Sequence, residues 1–114
     1  MRQPSYVYIM SNRKNGTTYI GITSDIVKHV YEHKHGVARG FTHKYNLHTL
    51  VHYEVFDGIE YAIAREKQLK AWKKTWKVEL IEKQNPEWKD LYPEILGLAD
   101  GDPDCRQDDV IVDV

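Results

Sequence analysis

Three histidines, His29, His33 and His35, crowd into seven residues of the stretch TSDIVKHVYEHKHG (Thr23–Gly36). His29 and His33, four apart, share one face of a helix, a spacing that can hold Zn²⁺ when a third ligand joins. No glutamate follows His29 directly, so the helix lacks the pattern of a zinc protease, and the lone cysteine, Cys105, excludes a paired-cysteine zinc site. The residues alone leave a metal pair and packed or solvated histidines both open. Tyr6, Tyr8 and Tyr19 lie in β-type runs. A tyrosine acts as a base only when nearby cations or a metal lower its pKa from about 10. Glu66, in AREKQLKAW, stands beside an apolar stripe, where a carboxylate requires a partner: Arg65, Lys70 four residues on, or a metal ion. Lys67, Lys70, Lys74 and Lys77 follow at i, i+3, i+7 and i+10, a basic stripe that suits either a solvated face or phosphate contact. A phosphate-cradling glycine loop, a nucleophile elbow and a dinucleotide fingerprint are all absent, so no nucleotide cofactor is expected.

Such residues act only if the chain positions them. YVYIM (Tyr6–Met10) is a β-type run, SNRKNG (Ser11–Gly16) ends in the hairpin signal Asn15-Gly16, and TTYIGIT (Thr17–Thr23) is the return arm. Alternation puts Tyr6 and Tyr8 on one face. Ser24 or Asp25 caps the next helix, in which Ile26, Val30 and His33 share a face flanked by Val27 and Tyr31, and Gly36 is a stop. After a polar connection, Val37–Asn46, the run Leu47–Phe56 reads as a third strand, with Val51, Tyr53 and Val55 alternating against His52 and Glu54. Ile59–Asn85 is the strongest helical signal, with Ala62, Leu69, Trp72 and Trp76 as its apolar stripe. Thr75 is a candidate cap for a second helix after a bend, and Asn85-Pro86 ends the segment. EWKDLYPEIL then closes the domain as a short turn that docks Trp88 and Tyr92. The expected class is α/β (α+β): a three-stranded antiparallel sheet flanked by helices, in the order β-β-α-β-α-α.

At 114 residues, 41% hydrophobic and 11% aromatic, the chain can build one modest core. Its net charge of −1 hides an asymmetry: residues 97–114 carry six acids and one base, whereas residues 1–96 carry 15 bases against 11 acids. Residues 1–96 are read as the domain and 97–114 as an acidic tail, expected to be disordered unless its VIVDV end pairs as an edge strand. The mildly basic body suits a phosphate-bearing partner. No apolar run approaches the length of a membrane span, and MRQPSYVYIM lacks the apolar region of a secretion signal. A cytoplasmic location is expected, in keeping with the single cysteine.

The pair of runs YVYIM and GTTYIGIT resembles the paired signature of the GIY-YIG nuclease superfamily. The second half is intact as Tyr19-Ile20-Gly21, while Tyr6-Val7-Tyr8 stands in place of Gly-Ile-Tyr. Together with YEHKHG, GFTHKYN, LVHYE, AIAREKQLKAWKK and NPEWKDLYPE, it is similar to the small single-domain bacterial GIY-YIG proteins, over about four-fifths of the chain. These in turn are similar to the nuclease domains of excision-repair and homing endonucleases.

The resemblance implies a metal-dependent endonuclease that hydrolyses DNA phosphodiester bonds, with DNA, branched or single-stranded, as its partner. It implies one divalent ion, Mg²⁺ or Mn²⁺, held by Glu66, and Tyr8 or Tyr19 orienting and deprotonating the attacking water. Gly21, as the motif glycine, lets a neighbouring group approach the sheet closely. The family places an arginine eight residues after that glycine; here the position is His29, preceded by Lys28. Arginine brings a fixed charge and a bidentate fork, whereas histidine is charged only below its ordinary pKa of about 6.5, so weakened cleavage is expected. His33, one turn on, matches a position often held by histidine. The alternative is a module that grips nucleic acid through Lys28, Lys67, Lys70, Lys74 and Lys77 and cuts nothing.

Overall fold

Five apolar or aromatic residues in a row, Tyr6–Met10, cannot alternate between water and core, and they form the middle of the sheet. The computed structural model describes residues 4–35 and 47–98. Strands β1 (Ser5–Ser11) and β2 (Thr18–Thr23) precede helix α1 (Ile26–Lys34) and strand β3 (Thr49–Phe56). Helices α2 (Ile59–Ala71), α3 (Lys74–Gln84) and α4 (Tyr92–Leu98) follow. The sheet is antiparallel in the order β2-β1-β3. The Gly36 stop, the connection Val37–Asn46 and the tail from residue 99 onward lie outside the described residues. Among the described residues no helix is long and apolar enough to cross a membrane.

Both faces of β1 are covered. Val7 and Ile9 join Ile20, Ile22, Ala62 and Leu69 of α2, Ile81 of α3 and Trp88. On the other side, Tyr8 and Met10 join Ile26 and Val30 of α1, Leu47, Leu50 and Ile95 of α4. Each such aliphatic side chain contributes about 1.5–3 kcal/mol by leaving water. In the hairpin, Asn15 takes the left-handed position (φ 60°) and Gly16 N–H donates to Arg13 O at 2.9 Å. The turn is also held from outside, because Lys74 Nζ donates to Gly16 O at 2.7 Å and to Asn15 O at 3.3 Å. Asp25, rather than Ser24, caps α1, its carboxylate accepting from Lys28 N–H at 3.2 Å.

Three expectations are corrected. In β3, Ile9 pairs with His52 but Met10 pairs with Leu50, so Val51 is the extra residue of a bulge. Val51 therefore packs under α2, Tyr53 lies opposite Tyr8 on the other face, and Val55 is 54% exposed. The long helical segment breaks at Trp72 and Lys73, both extended (ψ 151° and 155°), and Lys73 rather than Thr75 is the N-cap of α3. The break resets the helical phase: Ala62 and Leu69 are buried, Trp72 is half-buried and Trp76 is exposed. Finally, the closing segment is a helix as well as a turn. Trp88 is buried and donates Nε1–H to Glu82 Oε2 at 2.7 Å. Asp90 binds three elements together: it pairs with Lys34 of α1 and accepts Leu50 N–H of β3 (3.1 Å) and Tyr92 N–H of α4 (3.2 Å).

Candidate active site

Period two in β2 sends Ile20 and Ile22 to one face and Tyr19 and Gly21 to the other. Register then sets Gly21 directly beside Tyr8. A Cβ at position 21 would lie 2.6 Å from the Tyr8 hydroxyl oxygen and 2.7 Å from its Cζ, so the Tyr8 ring rests across the bare glycine. Tyr8 is 0% exposed, and a buried phenol needs a partner. His33 Nε2 supplies it at 3.1 Å; the bond runs from phenol to imidazole when Nδ1 carries the ring proton, and the other way when Nε2 does. The Tyr19 ring completes a triangle, its centroid 6.4 Å from Tyr8 and 5.7 Å from His33, with Tyr8 and His33 5.8 Å apart. Tyr19 is half-buried, so of the two phenols it is the one that meets solvent.

His33 is buried because it continues the Ile26–Val30 face of α1. His29, one turn earlier on the same side, is half-buried, as is Lys28. The structure thus brings Tyr8, Tyr19, Gly21 and His33 together and strings His29 along the same helix face.

Glu66 belongs to the opposite layer. Its helix, α2, packs on the face of Val7 and Ile9, against β2 among others. The Glu66 side chain is 7% exposed and Lys70 Nζ stands 2.8 Å from Oε2. The pair is an ion pair at hydrogen-bond distance, and Oε2 has no further hydrogen-bond partner among the described residues. A buried carboxylate oxygen left without a further hydrogen bond is a fitting ligand for a divalent cation that keeps its waters. Among the described residues no group of three or more His, Cys, Asp or Glu side chains could hold a metal ion, so Glu66 would act with at most one further side chain of these types. The lysine stripe does not follow one helix: Lys67 and Lys70 lie on α2, Lys74 and Lys77 on α3, with Lys70 beside Glu66 and Lys74 on the hairpin turn.

Two polar groupings escaped the sequence reading. Glu54 accepts from His52 Nε2 (2.8 Å), Arg65 Nε (2.8 Å) and Arg65 Nη2 (3.0 Å). Burial pushes the Glu54 carboxyl up, but the hydrogen bonds from His52 and Arg65 outweigh it and hold it down at about 2. Tyr53 donates to Glu94 at 2.7 Å; burial, then that bond, push its phenol up to about 12. The i, i+2 spacing of His52 and Glu54 on one strand face was the available signal for the first.

Residues 4–79 match the GIY-YIG catalytic domain family. A UPF0213 protein of Haloquadratum walsbyi is 33% identical over 82 residues, 72% of this chain and 91% of that protein. A UPF0213 protein of Staphylococcus saprophyticus is 33% identical over 76 residues, covering 67% and 92%. One from Syntrophus aciditrophicus is 37% identical over 84 residues, covering 73% and 94%. No solved structure matches the chain.

Proposed function

Because the chain belongs to the GIY-YIG catalytic-domain family, we propose that it is an endonuclease that hydrolyses DNA phosphodiester bonds with one Mg²⁺ or Mn²⁺. The observation that carries this reading is Tyr8, seated on Gly21 and held by His33, beside the solvent-reaching Tyr19. Tyr8, fully buried, is a positioning residue: with His33 it fixes the Tyr19 ring. Tyr19 orients the attacking water and takes its proton. His29 and Lys28 present positive charge to a phosphate oxygen. Glu66 would hold the divalent ion, which when bound draws charge off the phosphate and stabilises the leaving oxygen. Lys67 and Lys77 contact the nucleic-acid backbone, which positions it without reading sequence, while Lys70 lies beside Glu66 and Lys74 holds the hairpin turn.

The test is incubation with single-stranded, duplex, flap and junction DNA in Mg²⁺ or Mn²⁺. The parent is expected to cut, and Glu66→Ala and Tyr19→Phe to cut at least about a hundredfold more slowly. Equal cleavage by either variant overturns its role. His29→Arg, which supplies the fixed bidentate cation, is expected to raise the rate by about tenfold.

The second reading, a non-catalytic nucleic-acid-binding module, is favoured by Lys70, which already sets a cation beside Glu66. Salt-dependent DNA binding with no cleavage in either metal is its signature.

A further inference from the structure

Trp76 leaves 48% of its surface exposed at the start of α3. Its ring meets Trp72 at 5.9 Å and 88°, and the Lys73 ammonium stands 5.5 Å from its centroid. The Arg65 guanidinium stands 5.3 Å from the Trp72 centroid. Two indoles thus meet edge to face at the α2–α3 break, with Arg65 over the ring of Trp72 and Lys73 over the ring of Trp76. The same break carries Lys74 to the carbonyls of Asn15 and Gly16, so the hairpin turn, with its exposed Arg13 and Lys14, is tied to the start of α3. Residues 11–18 and 67–78 together hold seven cations and no acid.

We propose that Trp76, with Lys73, Lys77, Arg13 and Lys14, forms a stacking platform for single-stranded nucleic acid. The proposal rests on the nucleic-acid reading above and names the form of the ligand. With Lys73 over one face of the Trp76 ring, a base stacks on the other face or takes the place of that ammonium, while the surrounding cations track the phosphates. A duplex hides its base faces within the stack, so this surface discriminates in favour of unpaired strands.

The experiment is fluorescence anisotropy in EDTA, so that cleavage does not contribute, with a labelled oligothymidylate of about 12 nucleotides and a duplex of the same length. The parent is expected to bind the single strand more tightly than the duplex. Trp76→Ala should weaken single-strand binding by about tenfold, while Trp76→Phe keeps most of it. Lys73→Gln and Lys14→Gln should each reduce the salt slope by about 0.7. If the parent binds but Trp76→Ala binds equally well, or the duplex binds as tightly as the single strand, the platform is overturned while the cleavage reading stands. A parent that binds neither oligonucleotide overturns the platform, and the cleavage reading is then decided by the incubations in Mg²⁺ or Mn²⁺. Sedimentation in which Trp76→Ala converts a dimer to a monomer assigns the indole to self-association and overturns the platform.

Discussion

Glu54 and Glu66 are two carboxylates under the same helical layer, and they are bonded in opposite ways. Glu54, with its side chain 20% exposed, accepts three hydrogen bonds from His52 and Arg65. Glu66, one residue from Arg65 and only 7% exposed, has an ammonium beside an oxygen with no further hydrogen-bond partner among the described residues. Burial without saturation is the costlier state. The contrast separates a carboxylate saturated by hydrogen bonds that hold β3 to α2 from one whose buried oxygen meets only the Lys70 ammonium among the described residues.

The largest expected effect comes from exchanging charge for an isosteric amide at each site. Glu66→Gln should reduce cleavage by at least about a hundredfold, yet change unfolding free energy in urea by less than about 1 kcal/mol. Glu54→Gln should do the reverse: a loss of about 2 kcal/mol, with cleavage per folded molecule within about twofold of the parent. If Glu66→Gln is instead the more destabilising change, the contrast collapses.

Acid sharpens it further. The Glu54 carboxyl sits at about 2 in the folded protein against an ordinary 4.5. A lowered folded-state pKa means that its contribution is present above pH 4.5 and disappears as pH falls from 4.5 through 2. The stability gap between the parent and Glu54→Gln, followed by urea midpoint, should therefore close over that window. The smallest effect belongs to Lys70→Met, which removes the cation beside Glu66. Mn²⁺ affinity measured by calorimetry should rise about threefold, and an unchanged affinity would separate Lys70 from the metal reading.

The same two carboxylates show what a one-dimensional string discloses. Glu66 and Lys70 are neighbours by helical spacing, so their proximity could be read directly. Glu54 and Arg65 meet only because the chain turns from β3 into α2, and no local period encodes that meeting. Likewise the hairpin was legible in Asn15-Gly16, and the central strand in its unbroken apolar run. The bulge at Val51 was not, because it exists only in the pairing of β3 with β1. Trp76 was misplaced for a related reason: the helical phase it was counted in ends at Trp72, where two extended residues restart the count. In the candidate site, Tyr8, Tyr19, Gly21 and His33 could be named from a motif. That Tyr8 is sealed and Tyr19 is wet follows only from the layers packed above them.

Asp90 imposes an order of events. Its carboxylate takes Lys34, 56 residues upstream, and the amide of Leu50, 40 upstream. During synthesis at about 5–20 residues per second, Lys34 waits about 3–11 s for that partner. Until then the polar tie from α1 toward β3 among the described residues is Lys34 Nζ donating to His48 O at 3.1 Å. The hairpin, by contrast, closes on itself within residues 5–23, so its two arms need no partner from downstream.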